Sequence, residues 1–442
     1  NNRVVKAGSW YTFTNFFTKG LSFLTLPIFT RLLSTSDYGI ANLYATYVSI
    51  FAIVLPLDLY ASVTRAKFDF KEDYNNYLSS VLFLSVISFA VFSSVILIFR
   101  DFFSNILGLE SILIYFLLIH SFASYVHNFV FAKFRVEYNY KKISILQIIT
   151  SIGGVALAII LITQVFTNKR YYGQIIGKAL PTIVLGFILM FYVFIKGKKM
   201  INIEYWKYAL ALSVPIIFHN LAGIINAQFD RILINTYMGS SETGIYSFAY
   251  NIGMIIIVLN RSFNEAWIPW FYEKNQNLEY ENIRKRAENY RDVFSLIYIA
   301  ILFLSPEIIK VMSEKSYWEG LSIVPFIFMG YYLNFMYVFE VNIEFYEKKT
   351  RLIATGTILS AAINVVLNII YIPKYGYMAA AITTMISYFF LFVFHYIITH
   401  YILKIKLFEL KFHMVSLIYV CVSTAAFLVL QNYLVLRLAV LA

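Results

Sequence analysis

The sequence has 442 residues, of which 60% are hydrophobic and 14% are charged. Soluble domains carry about 25% charged residues, and the mean hydropathy here is +0.70, so the composition excludes a soluble protein and predicts an all-α, multi-pass membrane protein. The formal net charge is +12. The single cysteine, Cys421, lies inside an apolar segment, which excludes an intrachain disulfide and argues against a metal site.

Thirteen apolar segments approach the roughly 20 residues that a helix needs to cross a membrane. We predict spans near residues 9–30, 38–60, 77–99, 110–131, 143–165, 173–195, 207–233, 243–266, 291–311, 320–344, 351–372, 377–400 and 412–433. With a cytoplasmic N-terminus, 24 of the 36 lysines and arginines fall in cytoplasmic segments and 8 in external ones. Because positive residues concentrate in cytoplasmic loops, we predict this orientation.

The first span carries polar residues along one face. Thr12, Asn15, Lys19 and Ser22 recur at intervals of three and four, so they lie on the same side of a helix. A lysine halfway along an apolar helix is costly in lipid, and we therefore expect Lys19 to face a water-filled cavity and to bind substrate. Asn15 is a second substrate-binding candidate, with hydrogen bonding in a dry helix interface as the alternative.

An internal repeat relates the two halves of the chain. At an offset of 205, Phe13, Asn15, Ser36, Gly39 and Ile40 match Phe218, Asn220, Ser241, Gly244 and Ile245. At nearly the same offset, Glu137, Lys141 and Lys142 match Glu344, Lys348 and Lys349. We predict two six-helix lobes, 1–200 and 201–402, related by a parallel repeat around a central cavity. Residues 403–442 would hold a thirteenth helix and an incomplete remainder.

The seventh span repeats the polar pattern of the first. His219, Gly223, Asn226 and Asp230 share one helix face, and Asn220 is the repeat counterpart of Asn15. We expect His219, Asn220 and Asn226 to bind substrate, and Asp230 to couple or gate an ion. Hydrogen bonding across a dry interface is again the alternative.

Further charged residues lie in or at the ends of the spans. Arg261 and Glu265 are four apart, so they can pair on one face, and we expect Arg261 to bind substrate and Glu265 to couple or gate an ion. A purely structural ion pair is the alternative. Arg31, Lys178 and Arg231 lie near outer helix ends; they are substrate-binding candidates that could also extend to the headgroups.

The remaining titratable residues carry weaker predictions. Asp58, Glu340 and Glu344 lie near cytoplasmic ends of their spans, and we expect them to be interfacial rather than ion sites. His120 and His219 could relay protons, but a hydrogen-bonded helix histidine is the default interpretation.

Cations outnumber anions among the residues within the spans, and a cationic cavity suits an anionic, phosphate-bearing substrate. Enzyme motifs such as HExxH, GxSxG or a glycine-rich phosphate loop do not occur, and no external loop is long enough for a catalytic domain. The sequence therefore predicts a transporter rather than an enzyme, without a metal or organic cofactor.

The first span ends in Pro27-Ile28-Phe29-Thr30-Arg31-Leu32-Leu33-Ser34 and turns through Ser36-Asp37-Tyr38-Gly39. This stretch, with the short loops and the layout of six plus six spans, resembles Wzx-type flippases of polysaccharide repeat units (O-antigen or capsule). These belong to the multidrug/oligosaccharidyl-lipid/polysaccharide exporter superfamily. The resemblance covers essentially the whole chain, which differs from the fourteen-helix pattern of the family at its end.

The resemblance implies a bacterial inner-membrane transporter that moves undecaprenyl-diphosphate-linked oligosaccharides from the cytoplasmic to the outer leaflet by alternating access. It implies coupling to H⁺ or Na⁺, and a polysaccharide polymerase and a chain-length regulator as partners beside the lipid bilayer. A lipid II flippase and a multidrug exporter share this fold and are alternatives, and a membrane-embedded polysaccharide polymerase is a more distant one.

Overall fold

The computed structural model describes residues 2–441, and it describes all side chains from residue 10 onward except those of residues 11, 12 and 15. Between residues 2 and 441 the chain is helical, with no strand. The α-helices are α1 (Asn2–Leu24), α2 (Leu26–Leu32), α3 (Thr35–Val54), α4 (Val63–Asp69), α5 (Tyr74–Ile98), α6 (Arg100–Leu107), α7 (Ser111–Val136), α8 (Tyr140–Gln164), α9 (Arg170–Lys196), α10 (Ile203–Met238), α11 (Ser240–Gln276), α12 (Tyr280–Met312), α13 (Val324–Tyr346), α14 (Thr350–Ile397), α15 (Leu410–Leu430) and α16 (Leu434–Leu441). A π-helical turn, Ile398–Ile402, extends α14.

The prediction of an all-α membrane protein is confirmed, although the division into spans differs from the predicted thirteen. Ten helices in the described part of the chain are long and apolar enough to cross a membrane, and the bent pair α3 and Leu59–Asp69 makes eleven. One of the ten, Thr350–Ile402, carries two predicted spans, because its helix is broken at Gly376. The predicted span 9–30 falls on α1 and α2, which are separated at Thr25.

The chain divides into two compact units, unit 1 (Asn1–Ile224) and unit 2 (Ile225–Ala442). The division falls inside α10. The first turns of this helix pack in unit 1, where the Trp206 indole donates to the Ser80 carbonyl at 3.0 Å and the Tyr205 hydroxyl donates to Asp73 at 3.0 Å. The predicted lobe boundaries at residues 200 and 402 stay predictions.

Unit 1 is built on close helix contacts and an aromatic core. Tyr77, Tyr125 and Phe129 are fully buried in that core. Glycines of α9 allow α8 to approach closely, because a Cβ on Gly177 would lie 2.3 Å from the backbone of Ala158. Small residues at such contacts are typical of helices that pack within membranes.

The turn between α2 and α3 contains a capping box. Ser34 precedes α3, its hydroxyl accepts a hydrogen bond from the Asp37 amide at 3.1 Å, and Asp37 accepts one from the Ser34 amide at 3.4 Å. Each side chain thus satisfies a backbone donor that a helix start leaves unpaired. α3 begins at residue 35 and α11 at residue 240, which is the offset of 205 found in the sequence.

Two helix-to-helix turns of the repeat have the same geometry, at an offset of 210. Tyr138 and Lys348 both have left-handed backbone conformations, with φ of 56° and 58°. The amide of the following residue bonds five residues back, Asn139 to the Phe134 carbonyl and Lys349 to the Glu344 carbonyl, both at 2.8 Å. The turn after α11 has this geometry too, with Leu278 at φ 59° and the Glu279 amide bonded to the Lys274 carbonyl at 3.0 Å, so the sequence match of Glu137 with Glu344 stays a prediction.

Glu110, just before α7, joins two loops at one end of unit 1. Its carboxylate accepts hydrogen bonds from the Lys169 ammonium and the Tyr171 hydroxyl, both at 2.6 Å, and from the Tyr172 hydroxyl at 2.7 Å. These donors stabilise the charged form, with Lys169 contributing most, and they lower the pKa of Glu110 to about 2. The carboxylate is therefore ionised at all ordinary pH values.

Glu110→Gln is expected to lower the melting temperature at neutral pH and to have no effect in strong acid. A carboxylate whose pKa is depressed on folding stabilises the protein fully above its unfolded pKa of 4.5, and this stabilisation is lost as the pH falls toward about 2. Because both partners are half-exposed, we expect a free-energy difference below about 1 kcal/mol. Melting curves in detergent across this pH range test it, with the exposed Glu72→Gln as control; a pH-independent difference would contradict it.

Candidate functional site

A buried polar network in unit 2 surrounds Asp230, two turns before the end of α10. Asp230 is 1% exposed. Its carboxylate accepts hydrogen bonds from the Tyr246 hydroxyl of α11 at 2.5 Å, the Asn368 amide of α14 at 2.5 Å and the Thr384 hydroxyl of α14 at 2.8 Å. An unpaired carboxylate is very costly in an apolar surrounding, and these three donors make its burial tolerable.

The break in α14 brings the other members of the network together. Gly376 has φ 63° and ψ −150°, a conformation essentially restricted to glycine. Asn368 precedes the break and Thr383 follows it, and the Thr383 hydroxyl donates to the Asn368 amide oxygen. Asn364 donates to Thr384 at 3.2 Å and accepts from Asn368 at 3.0 Å. All of these side chains are buried.

The network is rich in oxygen atoms of the kind that serve as ligands for a small hard cation. Pairwise hydrogen bonds link one carboxylate, two side-chain amides and two hydroxyls, from Asp230, Asn364, Asn368, Thr383 and Thr384. Oxygen ligands of this kind suit hard ions, and a single carboxylate balances one positive charge. A proton bound to Asp230 would neutralise the carboxylate just as a bound monovalent cation would. Among the described residues no cluster of three or more His, Cys, Asp or Glu side chains is arranged to hold a metal ion.

Arg231, next to Asp230, is 6% exposed and points to other partners. Its Nε donates to the Ser247 hydroxyl at 3.2 Å, and its guanidinium lies 4.7 Å from the centre of the Tyr250 ring. Cation–π contact with a buried ring stabilises such a charge by about 2 kcal/mol. The predicted substrate-binding residue Arg231 is therefore anchored inside unit 2 rather than extended to headgroups.

The predicted cations of unit 1 lie on three helices. Lys19 is half-buried on α1, and the side chain of its neighbour Asn15 lies outside those that the structure describes. Arg31 is exposed on α2, with Nη1 3.1 Å from the Pro27 carbonyl. Lys178 of α9 is exposed, with Nζ 4.4 Å from the centre of the Phe29 ring on α2. Arg31 and Lys178 thus both contact residues of α2.

Three carboxylates expected at the interface are completely buried: Asp58, Glu340 and Glu344. This expectation was wrong because neighbouring side chains supply hydrogen bonds that the sequence does not reveal. Asn220, a predicted substrate-binding residue, donates to Asp58 at 2.7 Å within unit 1. The adjacent His219 is exposed.

The other predicted residues of α10 and α11 form no cluster with one another. Asn226 is 8% exposed, and its amide oxygen has no hydrogen-bond partner among the described residues. Arg261 and Glu265 are exposed on α11. No ion pair joins Arg261 to Glu265 in the described part of the chain, so the structural ion pair considered as the alternative is not formed, and their proposed roles stay predictions.

Asp230 can be identified from the sequence, whereas its partners cannot. Asn364, Asn368, Thr383 and Thr384 are uncharged, and single asparagines and threonines are common in membrane helices. The sequence does contain one indication of this network: Asn364 and Asn368 are four residues apart, which puts two amides on one helix face.

The sequence profile described as "Polysaccharide biosynthesis protein" matches residues 4–274. The capsular polysaccharide biosynthesis protein CapF of Staphylococcus aureus is 24% identical over 416 residues, covering 87% of this chain and 96% of CapF. A Haloferax volcanii protein named "probable low-salt glycan biosynthesis flippase Agl15" is 22% identical over 382 residues, covering 85% of this chain and 79% of that protein.

Among solved structures, the lipid II flippase MurJ in an inward closed conformation has a TM-score of 0.71. It is 17% identical, and the match covers 98% of this chain and 96% of MurJ, so the chain has the all-α fold of this membrane transporter. The family profile covers more than half of the residues, which confirms the resemblance found in the sequence. This chain belongs to the polysaccharide biosynthesis protein family.

Proposed function

We propose that the protein is a flippase that moves undecaprenyl-diphosphate-linked oligosaccharide repeat units from the cytoplasmic to the outer leaflet. Its family, its capsular relative and a relative named as a glycan flippase support a role in polysaccharide export. The excess of cations among the charged residues within the spans suits a diphosphate. The single observation that carries the proposal beyond family membership is the buried Asp230 network in a transporter fold.

Ion coupling is the role proposed for that network. An ionisable group inside a membrane helix is a candidate functional residue, and such residues often lie on ion or proton pathways. Asp230 accepts hydrogen bonds from three neutral side chains, and no ion pair involves it among the described residues. Binding of one Na⁺ or H⁺ would neutralise Asp230 and weaken its hold on α11 and α14. Such a change in helix contacts would shift the protein between the two conformations of an alternating-access cycle.

The proposed orientation places the N-terminus in the cytoplasm of a bacterial cell, as the lysine and arginine distribution favours. Lys19 and Arg261 are the leading candidates for contacts with the diphosphate. Asn15, Arg31, Lys178, His219, Asn220, Asn226 and Arg231 remain further candidates, and Glu265 remains a second coupling candidate. A polysaccharide polymerase and a chain-length regulator are proposed partners.

The experiment is a flipping assay in proteoliposomes. A fluorescent undecaprenyl-diphosphate trisaccharide is incorporated, and a membrane-impermeant quencher measures how much of the label becomes accessible with time. We expect the protein to accelerate flipping over protein-free vesicles, and a Na⁺ or H⁺ gradient to drive accumulation on one side. A fluorescent phosphatidylcholine in parallel vesicles controls for non-specific scrambling.

The outcomes separate the candidate functions. Equal rates with and without protein would overturn the proposal. Flipping of fluorescent lipid II but not of the trisaccharide lipid would replace it by peptidoglycan precursor transport. Lys19→Ala and Arg261→Ala in the same assay test the substrate contacts, since loss of a diphosphate partner is expected to slow flipping.

A further inference from the structure

A second buried cluster of titratable side chains lies in unit 2, centred on α13, which contributes no residue to the Asp230 network. Glu340 and Glu344 are four residues apart, so both point to the same side of the helix. Both are completely buried. No lysine or arginine lies within 4.0 Å of either carboxylate in the described part of the chain. Two uncompensated anions so close together in an apolar surrounding would be very unfavourable.

Histidines from three segments face these carboxylates. His413 of α15 places Nε2 2.7 Å from Glu340, and His395 of α14 places Nδ1 2.6 Å from Glu344. His400, in the π-helical turn Ile398–Ile402, has Nδ1 4.0 Å from Glu340. His395, His400 and His413 are all buried. Each carboxylate thus shares a hydrogen-bonded proton with one histidine.

Three of the four other polar atoms of the two pairs have no hydrogen-bond partner in the described part of the chain. His413 Nδ1, His395 Nε2 and the second oxygen of Glu344 are buried and have no hydrogen-bond partner among the described residues. The second oxygen of Glu340 accepts from the Thr399 hydroxyl. When a neutral histidine donates to an ionised glutamate, the pair carries one negative charge. The ring nitrogen that faces away from the glutamate then carries no proton. One added proton makes the pair neutral, but this ring nitrogen then carries an N–H with no acceptor.

These two costs oppose each other. Burial of net charge favours uptake of the proton, whereas an unpaired buried N–H disfavours it. A pair balanced in this way can exchange its proton, unlike a carboxylate held by arginine. The local backbone is also unusual, since π-helical turns occur most often at functional sites and this one carries both Thr399 and His400.

We propose that Glu340 with His413, and Glu344 with His395, form a proton-binding site that takes up one exchangeable proton per pair. The ligand is the proton itself: it adds to the carboxylate–imidazole pair on uptake and returns to water on release. This inference does not depend on the proposed function, and the site is separate in residues from the Asp230 network.

A pocket near the start of α15 offers water access. Its volume is about 250 Å³, and its lining includes Arg284, Glu288, Arg291, Glu409, Lys411 and Phe412. Phe412 immediately precedes His413, so the pocket wall is one residue from the proposed site. Glu288 and Glu409 of this lining are exposed carboxylates, a type of group that can exchange protons with water.

Other titratable groups around the pairs come from each neighbouring element. α13 itself contributes Tyr337, whose ring centre is 5.0 Å from that of His395. Tyr396 of α14 stacks on His400, with ring centres 4.0 Å apart. From α12, the Arg291 guanidinium lies 5.2 Å from the centre of the Phe412 ring, and Arg291 forms its ion pair with Asp292. Gly356, in the first half of α14, leaves room for His395, because a Cβ there would lie 2.5 Å from Nε2.

Histidine ¹⁵N NMR on the full chain in detergent tests the proposal. The chain has six histidines, and His395→Gln and His413→Gln assign the two signals of interest. We expect both signals to change from the neutral to the protonated form within the range of about pH 5 to 8, where histidine charge changes. Glu340→Gln is expected to reduce the proton affinity of His413 at least ten-fold, which moves its transition by one pH unit or more.

Glu347→Gln is the matched control, because Glu347 is exposed at the end of the same helix. It is expected to leave both transitions unchanged. The proposal is overturned if His395 and His413 keep one protonation state throughout this range, or if Glu340→Gln shifts the His413 transition no more than Glu347→Gln does. Glu344→Gln, read at His395, provides a second test should Glu340→Gln fail to fold.

Discussion

Replacing Asp230 with Asn is expected to abolish ion-driven flipping while the protein remains folded. Asparagine retains the shape of aspartate, but it cannot carry the charge that the network of Tyr246, Asn368 and Thr384 surrounds. Hydrogen bonds to a charged group are worth about 1.5–3 kcal/mol each. An ion held by Asp230 should therefore bind far more weakly, and gradient-driven flipping should fall at least about ten-fold, a change of about 1.4 kcal/mol.

The proteoliposome assay, run with Na⁺ and with H⁺ gradients, measures this effect. Glu281→Gln is the control, because Glu281 is an exposed carboxylate of α12 in the same unit. If Asp230→Asn vesicles respond to a gradient as wild type does, the Asp230 network does not couple transport. Size-exclusion profiles and melting temperatures of the purified variants verify that loss of transport does not reflect unfolding.

Replacing Glu307 with Ala is expected to be among the most destabilising single changes in the chain. Arg437 of α16 donates to both Glu307 oxygens, at 2.7 and 2.6 Å, and also to the Phe303 carbonyl. Its side chain is 3% exposed, whereas that of Glu307 is 35% exposed. Without Glu307, the buried guanidinium of Arg437 has no carboxylate partner. Breaking a buried ion pair in this way costs about 3–5 kcal/mol.

Arg437→Ala should cost less, because the Glu307 that remains is partly exposed and can be solvated. The double change Glu307→Leu with Arg437→Met should recover most of the loss, since apolar replacement of a buried pair is often neutral. Denaturant-induced unfolding in detergent gives the three free-energy differences. Equal costs for Glu307→Ala and Arg437→Ala would show that burial of Arg437 is not the decisive factor.

The membrane class, the helices and one key site residue could be predicted from the sequence. Apolar length is a strong signal, and it located the helices even where the breaks differ, as at Thr25 and Gly376. Asp230 was found because a charge in an apolar helix is rare. Its partners could not be found, because Asn364 and Thr384 come together only through the break in α14.

The burial of Glu340 and Glu344 also could not be predicted from the sequence. Position near a helix end predicted interfacial carboxylates, but α15 and the π-helical turn cover this end of α13. The pairing of Arg261 with Glu265 failed for a related reason. Spacing of four allows two side chains to meet, but it does not fix their rotamers.

The left-handed residues at the helix turns offer a route to thermostabilisation. Tyr138, Leu278 and Lys348 each hold a positive φ with a side chain present, at 56°, 59° and 58°. This conformation costs a residue other than glycine about 1–2 kcal/mol. Glycine at these three turns would relieve that strain without touching either buried network, and a combined variant should give a more durable detergent-purified protein for biochemical work.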